Sequence, residues 1–557
     1  MPRPTRRSPA DDAARLSRRT LVGGAAAVAA LAVAETNDGA MAAGSGPRPG
    51  EFSRLQAEGT ILIGTLGEAK TINPFQSDES EGDWRCKMLY DEFVRPDPET
   101  YAATPGLAAS WDIQDLVITF TIQPNATFSD GSDVTADDVK FTLEGFLDPQ
   151  TASPRAVKFE KIAGAPAAGG TMPAEGISGI EVVDPKTVRI TLAEPDAAFL
   201  YNMRYLFVVP RAKLEDKDLS AASTDPFFQS PIGAGPYTFE RWSVGADFVA
   251  TANPNFWEGA PEIAGFTHRT IPDSSALVSA LQAGDIDGSL YAAPTLASDL
   301  EADPNLTILV PPFGSPNGTL FNCRVAPLDN PSVRRAIAMA VNVPEYVSSS
   351  LLGLGDAGLG PIAPDSWAHD PSLEPIPFDQ AQAQALLTEA GVGEIELSML
   401  CNAGNVLRED WLIRSQADLA SVGITLNVEF IEWASLVERV TETRDFELIG
   451  ADFAGVTAEP SELFEQFHST SAQNHGGYAN PELDELLAQA RETLDQEAAK
   501  PIYAEIQRIL MRDVPFHWAW YRPFIHVIRN DYSGYTGSNL EGGLFRTLPS
   551  MTGSPTV

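Results

Sequence analysis

The chain has 557 residues, of which 43% are hydrophobic and 9% aromatic, which is enough apolar material for two or three packed domains and too much for a disordered protein. Aspartate and glutamate together number 76 against 38 lysines and arginines, and the formal net charge of -38 argues against binding to nucleic acid or anionic lipid. The charge alone does not name a ligand, because it serves solubility as readily as the attraction of a cation.

The first 42 residues have the pattern of an export signal. Basic residues, including the pair Arg18-Arg19, precede an apolar and alanine-rich stretch at 21–34. This stretch is too short to span a bilayer of about 30 Å as a stable helix, and small residues follow it, as in a removable signal. The pattern resembles a twin-arginine signal and predicts an exported, periplasmic protein, with an N-terminal membrane anchor as the alternative.

Signal cleavage is expected after Ala34 or Ala42, and residues 43–59 are expected to be a linker. No cysteine directly follows the apolar stretch, so we expect no lipid anchor. No later stretch reaches about 18 uninterrupted apolar residues, so we expect no other membrane-spanning segment.

Three widely spaced cysteines, Cys86, Cys323 and Cys401, contain no Cys-x-x-Cys pair. They therefore predict neither a zinc site nor a disulfide framework, and a single disulfide among them stays open.

From residue 60 onward, short β-rich runs alternate with helical segments, which is typical of a mixed α/β fold. Strands are predicted at 60–66, 117–122, 187–192, 306–310, 396–401 and 424–430. Helices are predicted to begin at Thr135, at Asn330 and at Asn480, because each residue is a good N-cap and the two asparagines are followed by proline. The Thr135 hydroxyl is expected to cap the backbone N–H of Asp138.

Two extended segments are predicted to carry the chain between two lobes. Residues 306–321 read as two β-like runs separated by the sequence PPFG, and residues 514–527 are again extended and aromatic. A double-stranded hinge between lobes suits a clamp, because a ligand held between the lobes shifts the equilibrium between an open and a closed form. The predicted bounds are 60–310 plus 518–557 for lobe one, about 92–229 for a subdomain within it, and 313–517 for lobe two.

Several sequence motifs occur in the order found in family 5 of the extracellular solute-binding proteins of ABC transporters, and the chain resembles this family from about residue 60 to residue 535. The motifs are PGLAASW at 105–111, FSDGSDVTADDV at 128–139, PIGAGPY at 231–237, NPNFW at 253–257, LQAGDID at 281–287 and GYANPELD at 477–484. Departures from the family pattern include Ala234, where threonine is usual. The resemblance implies a periplasmic binding protein-like α/β fold of type II, with two lobes, a double-crossover hinge and an extra subdomain in lobe one.

The resemblance also indicates where a ligand would be held. In the peptide receptors of the family, an aspartate three residues before an acidic-Pro pair holds the α-amino group of the ligand. Glu459-Pro460 marks that pair here, so the aspartate position is occupied by Val456 and the preceding aromatic position by Phe453. The usual anchor is therefore missing, and Asp452 is the candidate replacement.

By the same resemblance, Trp433 lines the ligand cavity and forms with Phe453 a flat apolar wall, although a core role for Trp433 is an open alternative. The remaining candidates near the cleft are Glu68, Phe313, Asn322, Asn474 and His475. Among them, Glu68 carries a charge suited to a cation, with a solvated loop carboxylate as the alternative.

The implied function is that of a monomeric, non-enzymatic receptor, which captures a peptide-like solute, delivers it to the permease subunits of an ABC transporter and needs no cofactor. Because the amino anchor is missing, a receptor of the same fold for an oligosaccharide, an amino-acid conjugate or another small organic solute is the alternative.

Enzymatic and metal-binding functions are disfavoured. The sequence has no Gly-x-Ser-x-Gly, His-Glu-x-x-His or phosphate-binding Gly-x-x-x-x-Gly-Lys motif. Gly353, Gly355 and Gly358 match a dinucleotide fingerprint, but helix-like sequence precedes them and Pro361 follows, so we interpret this segment as a loop. The six histidines include no pair spaced i, i+4, which disfavours, without excluding, a receptor for a nickel chelate.

Overall fold

A computed structural model describes residues 59–77, 80–98, 100–167, 169–217, 219, 225–290, 292, 294, 297–311, 314–451, 459–537 and 543–553. The predicted signal peptide at 1–42 lies outside the described residues, as does the predicted linker except for Gly59. Within the described ranges, no helix is both long and apolar enough to cross a membrane.

The strands, in chain order, are β1 (Thr60–Thr65), β2 (Val94–Pro96), β3 (Ala103–Pro105), β4 (Ala108–Gln114), β5 (Val117–Ile122), β6 (Ile180–Asp184), β7 (Thr187–Thr191), β8 (Tyr237–Trp242), β9 (Asp247–Ala252), β10 (Gly265–Thr270), β11 (Gly288–Ser289), β12 (Leu306–Leu309), β13 (Ser315–Phe321), β14 (Asp356–Ala357), β15 (Ile395–Asn402), β16 (Ile424–Ile431), β17 (Leu448–Ala451), β18 (Phe516–Arg522), β19 (His526–Arg529), β20 (Tyr532–Ser533) and β21 (Thr552–Gly553).

The α-helices are α1 (Ser80–Tyr90), α2 (Ala136–Leu147), α3 (Phe199–Asn202), α4 (Arg211–Leu214), α5 (Pro226–Gln229), α6 (Ser274–Ala283), α7 (Ala297–Glu301), α8 (Pro331–Ala340), α9 (Val343–Ser349), α10 (Gln380–Glu389), α11 (Val406–Ala420), α12 (Trp433–Val437), α13 (Glu462–Phe467), α14 (Pro481–Glu492) and α15 (Gln496–Asp513).

Lobe one is built on a seven-stranded sheet of order β12-β19-β11-β1-β10-β9-β8. Strand β1 lies at its centre, parallel to β10 and β11, and all of its residues except Thr60 are buried. A central strand covered on both faces has to be apolar along its length, which explains why the run from Ile61 to Ile63 does not alternate with polar residues.

The subdomain carries a separate antiparallel sheet of order β4-β5-β7-β6, against which α2 packs. Helix α2 begins as predicted: the Thr135 hydroxyl accepts a hydrogen bond of 3.4 Å from the Asp138 backbone N–H, and the Asp138 carboxylate accepts one of 2.8 Å from the Thr135 backbone N–H. This reciprocal capping satisfies two backbone donors that the first turn of a helix leaves free.

Lobe two is built on a six-stranded sheet of order β14-β18-β13-β17-β15-β16. Alternate residues of its strands enter two separate apolar clusters, with Phe321 and Leu448 in one and Leu320 and Ile449 in the other. Because successive side chains of a strand point to opposite faces, these two clusters cover the two faces of the sheet.

The chain crosses between the two large sheets twice. It leaves lobe one after β12 and enters lobe two at β13, and it returns from β18 to β19. Within each lobe the two crossing strands share a sheet, since β12 pairs with β19 and β13 pairs with β18, both antiparallel. The predicted boundary between residues 517 and 518 falls inside β18, because the pairing of that strand with β13 continues to Arg522. The return crossing therefore lies at 523–525.

The glycines of the 353–358 segment serve close packing in a loop. A helix, α9, precedes them, and β14 lies between Gly355 and Gly358. A Cβ atom at Gly358 would lie 2.1 Å from the backbone oxygen of Trp518 in β18, so only glycine permits this approach. The dinucleotide fingerprint lacks the strand and the helix that it requires, as the sequence interpretation expected.

All three cysteines are reduced thiols, with Cys86 and Cys401 buried and Cys323 half-buried. The structure therefore contains no disulfide among them.

Candidate functional site

Four of the candidate ligand residues have side chains outside the described part of the structure. Phe313, Asp452 and Phe453 fall in segments that are not described, as does Val456. Trp433 is the first residue of α12, and only its backbone is described. The segment that holds Asp452 and Phe453 directly follows β17, a strand inside the lobe-two sheet.

Besides the backbone N–H of the adjacent Ala69, four residues distant in the sequence hold the Glu68 carboxylate within lobe one. Its Oε1 atom accepts a hydrogen bond of 3.1 Å from the Trp242 indole N–H, and its Oε2 atom accepts bonds of 2.8 Å from the Gly245 backbone and 2.9 Å from the Thr270 hydroxyl. The guanidinium of Arg85 lies 3.7 Å away. This carboxylate is neither a solvated loop charge nor a free one, because both of its oxygens tie the 66–70 loop to its own lobe.

Asn322 and Asn474 brace turns of lobe two. The Asn322 amide, at the end of β13, donates a 2.8 Å hydrogen bond to the Phe446 carbonyl oxygen. The Asn474 side chain donates a 2.7 Å bond to the Tyr478 carbonyl oxygen and accepts one of 3.2 Å from the Tyr478 backbone N–H. Both amides are buried. The hydrogen bonds described for these two residues all join parts of lobe two.

His475 lies next to Asn474 and is hydrogen-bonded through its Nδ1 atom to the guanidinium of Arg444. Burial, together with the positive charges of Arg444 and Arg324, lowers the pKa of His475 to about 4. The imidazole is therefore neutral near pH 7 and accepts a hydrogen bond from the arginine. The structure brings Asn322, Asn474 and His475 into one region of lobe two, with Glu68 in the other lobe.

The two lobes touch through the subdomain. The Tyr101 hydroxyl donates a 2.6 Å hydrogen bond to Oδ2 of Asp365 in lobe two, and the Ala197 backbone N–H donates a 2.9 Å bond to the carbonyl oxygen of Arg491 at the end of α14. The residues of each pair are more than 250 positions apart in the chain. These contacts hold the subdomain against the face of lobe two that carries α14 and α15.

Two cavities lie between the subdomain and lobe two. The first, here called the interlobe cavity, has a volume of about 850 Å³ and is bounded by the β4–β5 hairpin, residues 195–201, and the segment that joins α14 to α15. The second has a volume of about 520 Å³ and carries charges of both signs, including Lys158, Lys161 and Asp196. Both volumes lie within the range of cavities that hold small organic molecules.

Glu459 lines both cavities and is 7% exposed. Its Oε1 atom accepts a 3.0 Å hydrogen bond from the Ser461 backbone N–H, while burial raises the pKa of its carboxyl group to about 7. Burial also raises the pKa of Asp196, in the subdomain, although the nearby Arg491 opposes that rise. Two acidic groups, one from each lobe, therefore line the second cavity, and both are protonated more readily than an exposed carboxylate.

No group of three or more histidine, cysteine, aspartate or glutamate side chains within the described ranges could hold a metal ion. The linings of the two cavities offer charged groups, hydrogen-bonding groups and aromatic surface.

A family model described as bacterial extracellular solute-binding proteins, family 5 Middle, matches residues 102–475, which is more than half of the chain. The chain belongs to this family. The match confirms the resemblance inferred from the sequence motifs.

Known relatives of this solute-binding protein agree with that assignment. Di/tripeptide-binding protein 2 of Pseudomonas aeruginosa is 28% identical over 470 residues, which are 80% of this chain and 86% of that protein. NikZ from Campylobacter jejuni, solved in complex with Ni(L-His), is 25% identical with a TM-score of 0.72, and the match covers 89% of this chain and 100% of NikZ. The oligopeptide-binding protein AppA from Bacillus subtilis, solved with a nonapeptide, has a TM-score of 0.70 at 24% identity, covering 89% of this chain and 99% of AppA. These matches confirm the two-lobed α/β fold.

Sequence reasoning missed the residues that join the lobes of this solute-binding protein. In the sequence analysis Glu459 served only to locate Val456 and Phe453. Tyr101, Asp365 and Arg491 belong to no recognisable motif. A composition that is unusually acidic hides individual functional carboxylates, and only the folded structure selects the few that are buried.

Proposed function

We propose that this protein is the solute-binding component of an ABC importer and that it captures a peptide-like solute between its lobes. The observation that carries the proposal is the two-stranded hinge between the two large sheets, in a chain that belongs to a solute-binding family. The di/tripeptide-binding relative supports a peptide as the solute. On this proposal the protein acts as a monomer without catalysis and passes the solute to membrane permease subunits.

The proposed ligand residues follow from the family resemblance. Trp433 and Phe453 would provide an aromatic wall, and Phe313 would lie at the hinge. Asp452 would hold the amino group of a peptide in place of the aspartate that Val456 replaces. Such a contact between opposite charges is favourable where water is excluded.

A receptor for a different small solute is the second candidate, and one observation favours it. The side chain of Val456 can neither accept a hydrogen bond nor balance an ammonium charge, so a peptide would need another anchor. An oligosaccharide or an amino-acid conjugate needs no such anchor. A nickel chelate, as in the NikZ complex, is a further alternative, since a chelate needs few protein ligands.

A thermal-shift screen of the mature chain, beginning at residue 43, tests the ligand class. The screen compares di- to pentapeptides, oligosaccharides, amino-acid conjugates and nickel with histidine. A ligand present at 100 times its dissociation constant stabilises the folded state by about 2.7 kcal/mol, enough to shift a melting curve clearly. A shift with sugars or conjugates, and none with peptides, would overturn the peptide assignment.

The proposed role of Asp452 as the anchor is tested with the Asp452→Asn variant of the protein and any peptide that binds to the wild type. We expect the dissociation constant to rise roughly tenfold or more, because the variant loses a charge-assisted hydrogen bond. Asp445→Asn is the matched control, since Asp445 is an exposed partner of Arg439 in a surface ion pair and such pairs contribute little. Equal affinities for the two variants would exclude Asp452 as the anchor.

We also propose that residues 1–42 direct export by the twin-arginine route and that the mature protein is periplasmic and not lipid-anchored. Replacing Arg18 and Arg19 together by lysine should leave the precursor in the cytoplasm, as measured by cell fractionation. Unchanged export of this double variant would contradict the route, and a precursor that stays in the membrane without cleavage would indicate an anchor.

A further inference from the structure

The interlobe cavity has an aromatic wall. Its lining includes Trp111 and Tyr201 from the subdomain and Trp367 and Tyr503 from lobe two. The guanidinium of Arg204 already stands 4.2 Å from the centre of the Tyr201 ring. The indoles of Trp111 and Trp367 therefore offer the ring surface on which a bound cation or a flat apolar group would rest.

Carboxylates surround this wall. Asp115, at the tip of the β4–β5 hairpin, lines the cavity together with Glu492, Asp495 and Glu497 of lobe two, and all four residues are exposed. Glu497 is paired with Lys500, whereas the other three have no ion pair in the part of the chain that the structure describes. The lining contains no lysine or arginine among the described residues. Asp495 is also the N-cap of α15 and accepts a 2.8 Å hydrogen bond from the Ala498 backbone N–H, which balances part of its charge. The cavity lining still carries net negative charge, which draws cations.

Tyr503 gives a second, independent indication of a ligand. Its side chain lines the cavity and is only 1% exposed, and its hydroxyl has no hydrogen-bond partner among the described residues. The ring meets the Trp367 indole edge to face at 5.7 Å, which fixes its orientation. A buried hydroxyl without a partner lowers stability, so a polar group that bonded to it would be favoured in the cavity.

We propose that the interlobe cavity binds an organic cation with an apolar or aromatic body. The body lies against Trp111 and Trp367, the cationic group lies among Asp115, Glu492 and Asp495, and Tyr503 supplies a hydrogen bond. This site goes beyond the proposed function, because its ligand class follows from the cavity lining and not from the solute held near the 452–458 segment.

Occupation of the cavity would also bear on lobe movement. Its walls come from both lobes, so a ligand that contacts both favours the arrangement in which they meet. The bound cation would act together with the Tyr101–Asp365 hydrogen bond, which joins the same two surfaces.

The test uses three probes that share a phenyl ring and differ in charge. They are 2-phenylethylamine, which is cationic, 2-phenylethanol, which is neutral, and phenylacetate, which is anionic. Binding to the mature protein is measured by calorimetry and by tryptophan fluorescence, to which Trp111 and Trp367 contribute two of nine tryptophans. We expect the amine to bind roughly tenfold more tightly than the alcohol, and we expect phenylacetate not to bind. Added salt should weaken the binding of the amine.

Two variants locate the site. Asp115→Asn combined with Glu492→Gln should raise the dissociation constant of the amine about tenfold, since two of the three charges near the cation are removed. The matched control combines Asp112→Asn with Glu485→Gln, which removes the same charges from exposed positions of β4 and α14 outside the cavity lining. Tyr503→Phe is a milder variant that keeps the aromatic ring. It should weaken the binding of any probe that forms a hydrogen bond with the Tyr503 hydroxyl.

Equal binding of the amine and the alcohol, or equal loss in the double variant and its control, would overturn the proposal. Melting curves of each variant separate loss of the site from loss of the fold, and Tyr503→Phe keeps the test valid if the double variant unfolds. The solute screen described above is independent: failure of every peptide with retained amine binding would leave this site standing and remove only the peptide assignment.

Discussion

The hydroxyl of Tyr101 donates a 2.6 Å hydrogen bond to the carboxylate of Asp365, and this bond joins the subdomain of lobe one to lobe two. Tyr101 is 2% exposed and Asp365 is half-buried, so the bond is partly shielded from water. The backbone bond between Ala197 and Arg491 joins the same surfaces. The arrangement of the lobes therefore depends on a few directional contacts in addition to the hinge.

Tyr101→Phe should weaken the association of the lobes. A hydrogen bond to a charged group contributes about 1.5–3 kcal/mol, so loss of the hydroxyl should raise the dissociation constant of a solute held between the lobes on the order of tenfold. Calorimetry measures the affinity, and small-angle X-ray scattering measures the expected increase in the radius of gyration. Tyr237→Phe is the control, because the Tyr237 hydroxyl lies near the Leu548 carbonyl oxygen within lobe one. Unchanged affinity and scattering in Tyr101→Phe would show that this bond does not hold the lobes together.

Much of the fold could be predicted because it follows from local patterns. The alternation of apolar and β-branched residues located β5 at its observed bounds, and the Asn-Pro pairs located the starts of α8 and α14. The interlobe contacts could not be predicted, since Tyr101 and Asp365 are 264 residues apart and neither belongs to a motif. Their contact depends on how complete lobes pack, which no local pattern encodes.

In the candidate site, too, local sequence patterns predicted positions but not contacts. The family motifs located the neighbourhood of Asn474 and His475, but the identity of a residue does not reveal its partners. Asn474 closes its own turn and His475 accepts a hydrogen bond from Arg444, so both side chains are occupied within lobe two. Short-range polar pairing of this kind becomes visible only when the turn geometry is known.

Glu459→Gln should make the protein more stable at high pH. Burial raises the pKa of this carboxyl group from 4.5 to about 7, so between these values the folded state binds a proton that the unfolded state lacks. The contribution of Glu459 to stability is fully present below about pH 4.5 and is lost as the pH rises through 7. A glutamine cannot ionise, so the variant should gain on the order of 3 kcal/mol over the wild type between about pH 4.5 and pH 8.

Denaturant unfolding at several pH values measures this gain for Glu459→Gln. Glu485→Gln, at an exposed position of α14, is the control and should differ from the wild type by only a small amount. A pH-independent difference for Glu459→Gln would mean that folding leaves the pKa of this carboxyl group unchanged, contrary to its burial.

His517→Gln should reduce the loss of stability in acid. His517 lies in β18 and is 2% exposed, and burial lowers its pKa to about 3. Between pH 6.5 and pH 3 the unfolded state therefore binds a proton that the folded state excludes. The contribution of His517 to the free energy of unfolding is present above pH 6.5 and falls as the pH falls below that value. Over this range the wild type should lose on the order of 4 kcal/mol through His517 alone. The slope of the unfolding free energy against pH measures the effect, and parallel slopes for wild type and variant would contradict it.

Thr135→Ala should destabilise the subdomain without changing solute affinity. The variant removes the hydroxyl that accepts from the Asp138 backbone N–H and donates a 2.6 Å hydrogen bond to the Asp138 carboxylate, so one backbone donor of the first turn of α2 loses its partner. Loss of a threonine N-cap costs about 1 kcal/mol. Thr135→Ser keeps the hydroxyl and should restore most of the loss, as measured by denaturant unfolding. If serine failed to restore stability, the threonine methyl group and not the cap would be responsible, whereas a change in solute affinity for the alanine variant would connect the start of α2 to the cleft.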